Sequence, residues 1–330
     1  MKPRILIIGV GSIGHRHLRC FGHTQRVTPS ICETNASLKE ELAQQYNVDA
    51  TFASLEEALL DPPDMAVVCT PAHLHIPMAR QLVAAGVHVL IEKPLGVSLE
   101  GVNELIQESQ QQGRVVAVAY VLRFHPLLNK LRQLVSEERY GPVVQLSLVS
   151  GQHFPFYRPA YREIYYADRA TGGGAIQDGL THLMNAGQWI CGPIDALVAD
   201  AAHQVLEGVD VEDTVHVLAR HGNTMASYSL NQHQAPNEST LTLVCAGGTL
   251  RCQFHEQMLL LAEAPDQPWQ VVQESQLERD DLFVAQAHGF LDAVLKGEPV
   301  ACNLAEATET LRVNLAILES VDAGFTRFTI

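Results

Sequence analysis

Ile5-Leu6-Ile7-Ile8-Gly9-Val10-Gly11-Ser12-Ile13-Gly14-His15-Arg16-His17-Leu18 is the stretch that decides the fold. Four consecutive aliphatic residues predict a strand buried on both faces. The glycines that follow are spaced G-x-G-x-x-G and lead into a helix, the order a dinucleotide site requires. Gly9 suits the tight turn, Gly11 lets the backbone approach a pyrophosphate, and Gly14 lets helix and strand pack closely. Ser12 and Ile13 open the helix, whose N-terminal N–H groups suit phosphate oxygens. The next apolar run, Val27–Cys32, ends in Glu33, nineteen positions after Gly14. A carboxylate there accepts hydrogen bonds from ribose hydroxyls and repels a 2′-phosphate. Thr34 and Asn35 supply no arginine for that phosphate, so NAD is expected over NADP.

Downstream, helices and strands alternate. Ala36–Tyr46 reads as a helix, and Ser54 with Glu57 reads as a capping box opening a short helix that ends near Leu60. Met65–Cys69 predicts a strand ended by Thr70-Pro71, and His73–Ala85 a helix closed by Gly86. Val87–Ile91 predicts the next strand, ending in Glu92-Lys93-Pro94. Ser98 is expected to cap a helix through Gln112, and Val115–Val121 is a further strand. This is the pattern of a doubly wound parallel sheet, an α/β domain over residues 1–122. The pattern changes over residues 123–330. After a helix at Pro126–Glu137, alternating segments such as Val215–Ala219 and Leu241–Cys245 are joined by tight turns, which predicts a large antiparallel sheet. Asp280–Leu295 and Leu304–Asp322 read as closing helices, giving an α+β second domain.

The bulk numbers exclude several classes. The chain has 330 residues, 47% hydrophobic and 18% charged, a normal globular balance. Its net charge of −15 argues against nucleic-acid and acidic-membrane partners. No secretory signal or membrane span is evident, and the seven scattered cysteines show no C-x-x-C or zinc spacing. The expectation is a cytoplasmic protein with reduced cysteines and no metal.

In open α/β sheets ligands collect at the carboxyl ends of strands. Gly9, Thr70-Pro71 and Glu92-Lys93-Pro94 are therefore expected near the nicotinamide. Lys93 follows a buried strand and is locked by a proline, so it is aimed; by itself it also reads as a surface lysine in a turn. A second constellation is Gly172-Gly173-Gly174 leading to Asp178 and His182. Four residues apart, these share a helix face, where a carboxylate can orient an imidazole for proton transfer. On spacing alone a surface pair is the plainer reading. Arg123, with the run Tyr157-Arg158…Tyr161-Arg162, is a candidate lining for a substrate; for the run a solvated loop is an equal reading.

Taken in order, the motifs resemble the glucose–fructose oxidoreductase / inositol dehydrogenase / MocA family. They are Gly9–Gly14 with His17, Thr70-Pro71…His75, Glu92-Lys93-Pro94, Arg123-Phe124-His125-Pro126, Gly141-Pro142-Val143, Gly172–Gly174 with Asp178-x-x-x-His182, and Gly247-Gly248-Thr249-Leu250. The resemblance implies an N-terminal Rossmann domain and a C-terminal domain whose open sheet builds homodimers or homotetramers. It implies NAD(P)-dependent oxidation or reduction of a sugar, cyclitol or related alcohol. By that similarity Lys93 and His182 sit beside the reacting carbon with Asp178 near them, while Thr70, Pro71, His75 and Glu92 belong to the cofactor side. Asn185 stands where many relatives have an aspartate that touches substrate, which bears on substrate identity more than on chemistry. The segment from Ser150 to Ala167 is more loosely similar to a subgroup near nonulosonic acid pathways. Two other readings stay open: an enzyme holding NAD tightly for glycoside cleavage or epimerisation, and a non-catalytic NAD-binding regulator.

Overall fold

In the computed structural model, which describes residues 2–330, the chain divides into two compact units. One comprises residues 2–124 with 278–308, the other residues 125–277 with 309–330. The single cut expected after residue 122 is thus replaced by a chain that leaves the first unit, returns to it and leaves again.

The first unit is built on β1 (Arg4–Ile8), β2 (Thr28–Cys32), β3 (Thr51–Phe52), β4 (Met65–Val68), β5 (His88–Ile91) and β6 (Val116–Val118). All pair in parallel, in the order β3-β2-β1-β4-β5-β6. That is the order of a Rossmann sheet. Its helices are α1 (Ser12–His23), α2 (Ala36–Tyr46), α3 (Leu55–Ala58), α4 (His75–Ala84) and α5 (Val102–Gln111). Helix α1 buries Gly14, His17, Leu18 and Phe21, the spacing of one helical face. Two sequence expectations shift here. Helix α5 begins after Gly101, whose φ is +75°, because the Ser98 hydroxyl is spent on a local turn with the Glu100 N–H. Strand β6 stops at Val118 because the Tyr120 N–H turns back to the Val118 carbonyl, and a 3₁₀ turn at Val121–Phe124 follows.

The second unit opens with α6 (Pro126–Ser136), then β7 (Val143–Gly151), a short α7 (Phe154–Tyr157) and α8 (Thr181–Cys191). Strands β8 (Ala196–Ala202), β9 (Thr214–His221), β10 (Thr224–Asn231), β11 (Glu238–Cys245), β12 (Gly248–Gln253), β13 (Met258–Ala262) and β14 (Gln270–Glu274) follow. Helix α9 (Asp281–Lys296) belongs to the first unit, and α10 (Leu304–Asp322) begins there and runs on into the second, before β15 (Phe328–Thr329). The nine strands lie in the order β14-β13-β12-β11-β7-β10-β9-β8-β15. All neighbours are antiparallel except β7 and β10. Along β9, Val215, Val217 and Ala219 are buried while His216, Leu218 and Arg220 are exposed, the two-residue period of a sheet covered on one face. Helix α8 covers part of that face. It sits close because Gly187 has no side chain: a Cβ there would lie 2.0 Å from the Tyr228 hydroxyl. The returning helix α9 completes the first unit's core with Phe290 and Leu291, and Phe21 meets Phe290 edge-on at 6.3 Å. Each such side chain contributes about 1.5–3 kcal/mol by burial.

Candidate functional site

In the first unit the glycine turn is tied on both sides. The Gly9 N–H donates to the Cys32 carbonyl at 2.9 Å, joining β1 to β2 at their carboxyl ends. A Cβ at Gly14 would lie 1.9 Å from the Gly9 carbonyl oxygen, so only glycine lets α1 start here. Gly11 is the reverse case: a Cβ would meet nothing within 4 Å, and the position is exposed. The structure therefore leaves Gly11 open toward whatever lies over the turn. Gly11 is the N-cap of α1, and no side chain caps that helix. Open backbone, an uncapped helix N-terminus and an acidic residue at the end of β2 fit a dinucleotide pyrophosphate and ribose. Glu33 supplies the acid. Its carboxylate accepts the Val10 N–H and the Asn35 N–H, each at 2.9 Å.

Two further loops meet at His75. Its Nδ1 lies 2.8 Å from the Pro94 carbonyl and its Nε2 2.7 Å from the Thr70 carbonyl. Fully buried, His75 has its pKa lowered by desolvation against those two carbonyls. His75 thus joins the Thr70-Pro71 turn to the Lys93-Pro94 turn from behind, and the Lys93–Pro94 peptide bond is cis. Glu92 is also inward: Oε1 is 2.7 Å from His17 Nε2, and Oε2 accepts the Lys93 N–H at 3.0 Å. Lys93 itself is half-buried. Arg123 is buried and bonded to the Ala301 carbonyl at 2.8 Å and to Glu306 Oε1 at 2.5 Å. That ties the 3₁₀ turn to the start of α10 within the first unit.

In the second unit, the three glycines lead into a π-helical turn, Ile176–Leu180, before α8. Asp178 lies on that turn, 3% exposed, and His182 lies one turn on in α8, half-buried. The wider turn is held by Glu212. Its Oε1 accepts the Ile176 N–H at 3.1 Å, its Oε2 accepts from Arg169 Nε at 2.9 Å, and its backbone carbonyl accepts the Ala175 N–H. Asp178 accepts the Tyr165 hydroxyl at 2.7 Å through Oδ1, and Arg158 Nη1 lies 3.8 Å from the same oxygen. Asp178 is therefore a buried carboxylate, not a surface group, and is reached by the preceding segment. Tyr157 is exposed, edge-on to Phe156 at 5.0 Å. Asn185 is buried, donating to the Thr310 hydroxyl of α10 at 2.9 Å. Tyr165, Arg169 and Glu212 were not singled out by the sequence. Glu212 has no local signal, since it stands beside Asp213 in an ordinary acidic turn thirty-six residues from the Ile176 N–H it holds.

Residues 3–120 match the family described as "Oxidoreductase family, NAD-binding Rossmann fold", and residues 128–251 match the "GFO/IDH/MocA C-terminal domain". The chain belongs to the Gfo/Idh/MocA oxidoreductase family. Among its relatives it is 24% identical over 328 residues to UDP-N-acetylglucosamine 3-dehydrogenase of Acidithiobacillus ferrooxidans, covering 97% of this chain and 98% of that one. It is 28% identical to an uncharacterised oxidoreductase of Synechocystis, covering 74% of this chain but 66% of that one. It is 30% identical to trans-1,2-dihydrobenzene-1,2-diol dehydrogenase of Mus musculus, covering 61% and 60%. A levoglucosan dehydrogenase solved with NADH and levoglucosan shares the fold over 100% of both chains, with a TM-score of 0.90 at 19% identity. Among the described residues, no cluster of three His, Cys, Asp or Glu side chains could hold a metal ion, and no helix is long and apolar enough to cross a membrane.

Proposed function

We propose that this member of the family is an NAD-dependent dehydrogenase acting on a secondary alcohol of a sugar, cyclitol or sugar derivative. The observation that carries the reading is the cradle at the end of β1 and β2, where Gly11 is open, α1 is uncapped and Glu33 closes the ribose side. The full-length similarity to a nucleotide-sugar dehydrogenase supports the substrate class.

When bound, the nicotinamide supplies the hydride acceptor. The chain supplies the rest. The His182 imidazole takes the hydroxyl proton as general base. Cationic Lys93 donates a hydrogen bond to the oxygen as negative charge develops there. Asp178, held by the Tyr165 hydroxyl, orients His182 or accepts a substrate hydroxyl. The Glu92 carboxylate and His75 set the backbone on either side of the Lys93 peptide. Glu33 favours NAD over NADP by excluding a 2′-phosphate. The outer face of the nine-stranded sheet, with Leu218 and Met225 exposed, is proposed to join copies of the chain into a dimer or tetramer, checked by light scattering.

The test is NADH formation from NAD with a panel of pyranoses, inositols, anhydrosugars, sugar acids and amino sugars, beside Lys93→Met. Turnover on one class that is lost in the variant, with NADH binding kept, supports the reading. Undiminished turnover in Lys93→Met removes Lys93 from the chemistry. Activity without net NADH release moves the protein to the bound-cofactor class.

A further inference from the structure

We propose that His17 is a positioning residue for the reaction: through Glu92 it fixes the main chain that carries Lys93, and so ties the helix of the glycine turn to that lysine; this rests on the role proposed above for Lys93. His17 stands on the buried face of α1, between Gly14 and Leu18. An apolar side chain is what that face of a helix ordinarily presents. The His17 side chain is 1% exposed. The Phe21 ring lies 6.2 Å from the imidazole, centre to centre, and the Phe283 ring of α9 lies 5.7 Å away, edge-on. A polar ring buried among aromatic ones costs desolvation unless a hydrogen bond offsets it. Packing alone therefore gives no reason for a histidine here.

The hydrogen bond it makes is directed. Its Nε2 lies 2.7 Å from Glu92 Oε1, and both side chains are buried. Its Nδ1 is buried without a hydrogen-bond partner among the described residues. A proton on Nδ1 would lack an acceptor, so the proton sits on Nε2 and is donated to Glu92. A carboxylate this deep needs donors. One comes from α1 through His17, and the Lys93 N–H supplies another, to Oε2 at 3.0 Å. Glu92 is thus pinned from α1 and in turn pins the peptide that leads into Lys93. His75 acts further along the same turn, with Nδ1 2.8 Å from the Pro94 carbonyl. The lysine side chain is a flexible four-carbon stem, so where its ammonium can reach is decided by how firmly its backbone is held. The helix that begins at the glycine turn therefore also sets the starting point of Lys93.

The experiment compares His17→Leu, which keeps bulk and removes the donor, with His17→Gln, whose amide N–H reaches toward Glu92 much as Nε2 does. Hydrogen exchange followed by mass spectrometry reads the peptide that carries the Lys93 N–H. Its exchange should quicken about tenfold in His17→Leu while β1 and β4 keep wild-type rates. On the sugar of the panel above that the wild type oxidises fastest, kcat should fall about ten- to a hundredfold in His17→Leu, with KM and NADH affinity little changed. His17→Gln should restore most of both. His17→Asn, with the same amide one carbon short of Glu92, takes the place of His17→Leu in each comparison should that protein not fold. Unchanged exchange at Lys93 overturns the proposal whether or not a substrate is in hand. Unchanged kcat, or a His17→Gln protein no better than His17→Leu, also overturns it and leaves His17 a core residue only. Failure of the dehydrogenase reading shows separately, as full turnover in Lys93→Met or a wild type that does not bind NADH.

Discussion

Glu33 holds Val10: its carboxylate accepts the Val10 N–H at 2.9 Å across the mouth of the glycine turn. The residue proposed to choose the cofactor therefore also shapes the loop that receives it. Glu33→Gln keeps one acceptor oxygen and turns an amide donor toward an N–H. The expected result is a fall in kcat/KM with NAD of tenfold or more, with little gain for NADP because the turn itself loosens. Steady-state kinetics with both cofactors decide it. A clean exchange of preference to NADP at full rate would show that the Val10 contact carries no weight.

Gly11 and Gly14 make opposite predictions although both are glycines of one motif. Gly14→Ala puts a Cβ 1.9 Å from a backbone oxygen, so the turn must shift. It should destabilise the protein by about 1–3 kcal/mol, as overpacking does. Gly11→Ala meets nothing within 4 Å and should leave the melting temperature in place. Its cost should appear only in NADH affinity. Calorimetric melting and NADH fluorescence titration separate the two, and a Gly11→Ala protein that binds NADH normally would remove the cradle reading.

Acid should destabilise the second unit through His125. Its ring is 5% exposed, and burial pushes its pKa down to about 4. Because the folded value lies below the unfolded value of about 6.5, the unfolded chain binds the proton more readily. The stability at stake is full above pH 6.5 and is lost as pH falls from there to about 4, reaching about 3 kcal/mol. Nδ1 of His125 accepts the Leu127 N–H as the N-cap of α6, a role asparagine can fill without titrating. Urea unfolding of His125→Asn between pH 7 and pH 4 should show a shallower loss than the wild type. Equal slopes would assign the acid sensitivity elsewhere.

The Arg169–Glu212 pair supports the π turn that carries Asp178. Arg169→Ala leaves Glu212, which is nearly fully buried, with its backbone N–H contact but without its cation. Arg169 is partly exposed, so the expected loss is about 1–3 kcal/mol rather than the larger figure for a fully buried pair. Turnover should fall with it, since Glu212 holds the Ile176 N–H two residues before Asp178. A urea midpoint unchanged from wild type would show that Glu212 is content without Arg169.

The glycine turn, Glu33 and the alternating elements of the Rossmann sheet were legible because each depends on neighbours in sequence: an apolar run, a spacing, a turn residue. The start of α5 was not, because Ser98 had a local turn to serve and Gly101 took the boundary. The bonds of Arg123 to Ala301 and Glu306, more than 170 residues away, were not legible either. Asp178 was legible as a candidate, but its partners Tyr165 and Arg158 come from a segment without helical or strand period.

By itself, the sequence determined the order of strands and helices in the first half, the glycine turn, the family and the positions of Lys93, Asp178 and His182 in their motifs. Tertiary structure alone decided that α9 returns to the first unit's core, that His75 and Glu92 point inward behind Lys93, and that Glu212 and Tyr165 set Asp178. The division has one physical cause. Backbone periodicity and turn chemistry act over a few residues and are written locally. Which buried polar groups satisfy one another depends on chain closure over tens to hundreds of residues, and no local pattern records it.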